Sequence, residues 1–77
     1  ITLPDSVTSI GFMAFDSCLS LNDITCLSTT APSIDSDTFA NVKENGILKV
    51  PAGSDYSSWM STDANYLGYY NWTMQEI

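Results

Sequence analysis

The chain has 77 residues, of which two are basic and nine acidic, and it has no histidine, so its formal net charge is −7. Lys43 and Lys49 cannot form the cationic stripe that displaces counterions from nucleic-acid phosphates, nor hold an anionic lipid surface. Without histidine there is no Ser-His-Asp or Cys-His relay and no histidine-containing metal site, which removes most hydrolytic chemistry.

The elements follow in chain order as short strands. Ile1-Thr2-Leu3 places two apolar side chains on one face of a strand and Thr2 on the other, and Pro4 ends it because proline cannot donate to a ladder. Ile10 and Phe15 supply two further inward positions, the second in a segment too short for more than one helical turn. Ile24-Thr25-Cys26 then repeats Ile1-Thr2-Leu3 after 23 residues, and Ile34 and Phe39 repeat Ile10 and Phe15 after 24. A third row opens at Leu48-Lys49-Val50-Pro51. Short alternating strands at this period predict a solenoid, because one unit cannot bury its apolar rows alone and stacking makes them continuous. Cys18 and Cys26 fit no zinc spacing and no disulfide framework, and they read as buried free thiols, with a bridge between them as the alternative.

The first unit, from Ile1-Thr2-Leu3-Pro4 through Ala14-Phe15-Asp16-Ser17-Cys18 to Leu21, resembles the BspA-like bacterial leucine-rich repeat, with its pattern I-x-I-P-x-S-V-T-x-I-G-x-x-A-F-x-x-C-x-x-L. Ala31 to Phe39 followed by Leu48 to Ser54 resembles the last repeat and cap of that family. The resemblance implies an α/β solenoid: a right-handed β-α superhelix fragment with short strands, single-turn helices and a C-terminal cap. It also implies a bacterial cell-surface or secreted protein built for contact and adhesion rather than catalysis.

Composition shifts after Gly53, and six of the nine aromatic residues lie between Tyr56 and Trp72. Ser54 and Asp55 suit a helix start, and Tyr56, Trp59 and Met60 would form one apolar stripe of a helix ending near Thr62. Trp72 to Ile77 reads as a last strand with Trp72 and Met74 on one face. These signals divide the chain into leucine-rich repeats over 1–53, two coils plus the opening strand of a third, and an aromatic-rich cap over 54–77. Tyr69 and Tyr70 in one extended stretch would face opposite sides and leave one ring exposed.

Other chemistry is weaker. Asp35-Ser36-Asp37 offers two carboxylates with Asp16 nearby, too few ligands for calcium, so a solvated acidic loop is the better reading. A paired-carboxylate glycosidase needs a cleft that a two-coil stack does not suggest. Asn71-Trp72-Thr73 matches a glycosylation sequon that arises often by chance. No apolar run approaches a membrane span of about 18 residues. The chain opens without an initiator Met or a signal sequence and reads as part of a longer protein.

The sequence thus predicts a non-catalytic interaction protein without cofactor or metal, taking a protein partner on a host or bacterial surface. The candidate partner-binding residues are the outward strand residues Thr2, Thr25 and Lys49 and the tyrosines Tyr66, Tyr69 and Tyr70. Two alternatives stand beside it: a carbohydrate-binding module using the C-terminal aromatics, and a purely structural cap. The N-terminal face around Ile1, Leu3, Ile10 and Phe15 is expected to be exposed and to promote self-association.

Overall fold

Four short strands, β1 (Thr2–Leu3), β2 (Asp23–Cys26), β3 (Ile47–Val50) and β4 (Thr73–Glu76), form in a computed structural model that describes all 77 residues, and buried and outward residues alternate along the middle two. They form one parallel sheet in the order β1-β2-β3-β4, so each strand touches only its neighbours in sequence. Thr2 pairs with Thr25 and Leu3 with Cys26, the 23-residue offset read from the sequence. Ile24 pairs with Leu48 and Thr25 with Lys49, 24 residues on. β4 adds a fourth rung, with Leu48 opposite Met74, Lys49 opposite Gln75 and Val50 opposite Glu76.

The loops stack as the strands do. Ser9 bridges Ser33, and the rings of Phe15 and Phe39 lie 5.6 Å apart and 5° from parallel, both at the 24-residue offset. At the corner that follows, Ser17, Asn41 and Asn65 take left-handed backbone with φ of 57°, 60° and 75°. Asparagine tolerates this conformation because its short polar side chain bonds locally. The 24-residue spacing of these three corners carries the repeat into a third coil.

The expected single-turn helices are turns. In coil 1 the amides of Ala14, Asp16 and Cys18 bond the carbonyls three residues earlier, and in coil 2 those of Thr38, Ala40 and Val42 do the same. Left-handed residues at Met13, Ser17 and Asn41 interrupt each run before an α-helical bond closes. The helix expected from Ser54 to Thr62 is likewise a turn, in which Trp59 and Met60 donate to the carbonyls of Tyr56 and Ser57. The one helix is a 3₁₀ helix over Leu67–Tyr70, closed by Asn71 in left-handed backbone at φ 62°. Tyr69 and Tyr70 therefore lie on a helical turn rather than in the extended stretch expected from sequence.

The core forms between coils 2 and 3. Ile24, Cys26, Phe39, Leu48, Val50, Tyr56, Trp59 and Leu67 are buried, while Leu3, Ile10 and Phe15 of coil 1 are covered on one side only. Each large apolar side chain removed from water contributes about 1.5–3 kcal/mol, so most of the stabilisation sits on the C-terminal side. Three polar-tipped aromatics of segment 54–77 reach back to earlier backbone carbonyls. Tyr56 Oη donates to Ser28 O at 2.7 Å, Trp59 Nε1 to Pro32 O at 3.0 Å and Trp72 Nε1 to Lys43 O at 2.7 Å. Both thiols are free, Cys26 buried and Cys18 half-buried. No helix is long and apolar enough to cross a membrane.

Candidate interaction surface

The outer face of the sheet brings three of the candidate residues into one row. Ladder pairing stacks Thr2 on Thr25 and Thr25 on Lys49, and β4 extends the row to Gln75. Side chains alternate along each strand, so the buried Ile24, Cys26, Leu48 and Val50 turn inward while Thr25 and Lys49 face out. A second outward row runs Asp23, Ile47 and Thr73. Ile47 is 40% exposed there, and Leu27, just past β2, is 47% exposed. The face thus carries hydroxyls, an amide, the Lys49 ammonium, the Asp23 carboxylate and two apolar side chains.

The tyrosines do not gather with that row. Tyr70 is half-buried, and its hydroxyl donates to Asn65 Oδ1 at 3.0 Å and accepts from the Asn41 amide at 2.9 Å. Its polar tip ties two left-handed corners together. Tyr69 is 53% exposed and packs edge-on against Tyr70, with ring centroids 5.0 Å apart. Tyr66 lines an open cleft of about 410 Å³ between Ala31–Ile34 of coil 2 and Ser58–Tyr66 of coil 3.

Sequence reasoning missed Gln75 and the cleft. The 24-residue spacing of Ser17, Asn41 and Asn65 marks a third coil, but β4 pairs at an offset of 26, which puts Gln75 opposite Lys49 two residues beyond where that spacing points. The cleft had no such signal, since its residues come from two coils and share no spacing rule.

Cys26 and Tyr56 are held protonated rather than activated. Burial pushes the Cys26 thiol up, offset in part by its contact with Tyr56. Burial likewise raises the Tyr56 phenol to about 12, helped by the neighbouring thiol. A thiol kept protonated is a poor nucleophile. Asp55 is lowered by hydrogen bonds from the Ser57 side chain and amide, the latter at 3.0 Å, and it lies at the surface. No group of three His, Cys, Asp or Glu side chains gathers to hold a metal ion.

A stack of parallel strands one residue-row deep, closed by turns at a fixed period, is a repeat architecture. The family described as BspA type Leucine rich repeat region (6 copies) matches residues 1–59, and the chain belongs to that family. Membership makes the coils solenoid-like leucine-rich repeats, a class that is generally non-catalytic and commonly binds proteins. No curated protein and no solved structure matches the chain.

Proposed function

We propose that the chain is the non-catalytic contact module of a bacterial cell-surface or secreted protein and that it mediates adhesion through the outer face of its sheet. The observation that carries this reading is the row Thr2-Thr25-Lys49-Gln75, stacked by ladder pairing beside the exposed Ile47. Partner surfaces favour rigid elements that present a few anchors among polar groups, and this face has that make-up. Lys49 supplies one of only two cations in a chain of net charge −7, so an acidic spot on the partner would find few other places to dock.

Residues 1–53 act in this reading as repeats of a right-handed superhelix, and 54–77, which complete the third coil, as the coil that caps it. The support is that Tyr56, Trp59 and Trp72 bury their rings and spend their polar atoms on carbonyls of residues 28–43. Self-association through the N-terminal face belongs to the same proposal. Ile1, Phe12, Met13 and Leu19 of coil 1 are 48%, 63%, 47% and 70% exposed, and Leu3, Ile10 and Phe15 are only partly buried.

The test is binding of the chain to immobilised host extracellular-matrix proteins and to bacterial surface-protein extracts. Lys49→Glu and Thr25→Arg should weaken it while circular dichroism stays unchanged, and Asn65→Asp, away from the sheet, should not. Equal binding by all variants would remove the sheet face from the reading.

A further inference from the structure

We propose that the cleft between Ala31–Ile34 and Ser58–Tyr66 is a binding site for a neutral pyranose sugar, separate from the sheet face. Pro32, Ile34 and the half-buried Tyr66 are among the residues that line it. Ser33, Ser58 and Ser61 bring three hydroxyls to the cleft and Asp63 a carboxylate. Among these groups the only hydrogen bond inside the chain is the one that Ser61 Oγ accepts from the Asp63 amide at 3.1 Å. The remaining donors and acceptors, including the Tyr66 hydroxyl, the Ser61 hydroxyl proton and the Asp63 carboxylate, are free to bond a ligand.

The two lips are fixed to one another before any ligand arrives. Trp59 follows Ser58 on one lip and donates its buried Nε1 hydrogen to Pro32 O on the other, and its own carbonyl accepts from the Leu67 amide at 3.0 Å. A cleft held open in this way loses little freedom on binding, which is where much affinity for small ligands comes from. Its volume of about 410 Å³ falls within the range of about 300–1,000 Å³ usual for small-molecule sites.

The lining chemistry selects the ligand class. An anion meets the Asp63 carboxylate and neither of the two lysines, since Lys43 and Lys49 are not in the lining. A hard cation needs about 6–8 oxygen ligands, and the cleft has one carboxylate. An apolar peptide face would bury three serine hydroxyls without partners, at a cost of about 1–3 kcal/mol each. A pyranose has the complementary arrangement: adjacent hydroxyls for a carboxylate and serines, and a C–H face for an aromatic ring. A carboxylate accepting two sugar hydroxyls makes the stronger, charge-assisted kind of hydrogen bond.

The experiment is a nuclear magnetic resonance titration of the ¹⁵N-labelled chain with methyl glycosides of glucose, galactose, mannose and N-acetylglucosamine. A second arm uses maltose, cellobiose and lactose. At least one probe should move the amide signals of Ser33, Ser58, Ser61, Asp63 and Tyr66 saturably. Tighter binding of a disaccharide than of its methyl glycoside identifies a glycan chain as the source, and equal binding identifies a single sugar. Asp63→Asn, at an exposed position, should weaken the binding about tenfold or more. Tyr66→Ala should abolish it, with β2 and β3 amide signals unchanged as the check on folding. The absence of saturable shifts with every probe overturns the proposal. So do shifts confined to the sheet face, or affinity unchanged in a folded Asp63→Asn chain.

Discussion

The indole of Trp59 donates a buried hydrogen bond of 3.0 Å to the carbonyl of Pro32, 27 positions earlier in the chain. With the bonds of Tyr56 to Ser28 and Trp72 to Lys43, this contact joins coil 3 to coil 2; it satisfies a buried carbonyl and links the two lips of the cleft. Trp59 also packs its ring 5.3 Å from Phe39 and 5.1 Å from Tyr56, so a single side chain holds the aromatic core together.

Replacing Trp59 separates those roles. Trp59→Phe keeps a ring but leaves the Pro32 carbonyl unpaired, and a loss of about 1–3 kcal/mol is expected. Trp59→Ala adds a cavity and should cost about 3–5 kcal/mol, a large fraction of the about 5–15 kcal/mol that native domains usually have. Urea denaturation followed by circular dichroism reads both values, and a Trp59→Phe chain as stable as the parent would show that the bond contributes nothing.

The pH dependence follows from Cys26 and Tyr56. Both groups hold their protons more tightly folded than unfolded, because burial disfavours their charged forms. The contribution of Cys26 is therefore complete below its unfolded value of 9.0 and lost as pH rises through its raised folded value, and that of Tyr56 is complete below 10.0 and lost as pH climbs towards about 12. The denaturation midpoint should fall steadily across that alkaline window. Tyr56→Phe should flatten the upper part of the fall while lowering stability at neutral pH through loss of the bond to Ser28. At the acid end the sign reverses for Asp55, whose lowered value means stability present above 3.8 and lost as pH falls through the folded value. A midpoint that is flat at alkaline pH would contradict this account of the buried pair.

Two glycines should respond in opposite ways to alanine. A Cβ at Gly68 would stand well inside contact distance of the Met60 carbonyl oxygen, which is backbone and has nowhere to go. Gly68→Ala should cost at least about 1–3 kcal/mol, the usual effect of overpacking. Gly11 has nothing within 4 Å of the same position, and Gly11→Ala should be neutral or stabilise by up to about 1 kcal/mol by narrowing the unfolded ensemble. Paired thermal melts of the two variants check the contrast.

Association should depend on both ends of the sheet. Phe12→Ser with Leu19→Ser removes the two most exposed apolar side chains of the N-terminal end and should reduce self-association in sedimentation runs at high concentration. At the other end Glu76 occupies the position in register with Val50, and its carboxylate accepts from the Gly53 amide at 3.0 Å. A charge at that place on an edge strand discourages further strands from pairing. Glu76→Val should therefore raise association, and a parent chain that sediments as a clean monomer at every concentration would remove the N-terminal face as a contact.

The strand registers were legible because two coils keep the same side-chain period: Thr2 does face Thr25, and Phe15 does stack on Phe39. The turn at Tyr56–Met60 was not, since apolar residues at i, i+3 and i+4 fit a tight turn as well as a helix, and tertiary bonds to Ser28 and Pro32 decided between them. β4 carried a weak signal for a physical reason. All four of its residues are exposed, so nothing requires apolar alternation there. Of the candidate site, the row Thr2, Thr25 and Lys49 was readable from alternation, whereas the cleft depends on how far apart two coils sit, a distance that no local pattern encodes.

The strict neighbour-to-neighbour order of the sheet bears on how such a chain grows. Every ladder pair joins residues 23 to 26 positions apart, whichever rung is considered. The loop that must close to add a coil therefore lengthens by only three residues from the first rung to the last, and its entropic cost is nearly unchanged. Duplicating a coil would add burial at a nearly constant cost in chain entropy, so repeat number is free to vary without a penalty in the conformational search.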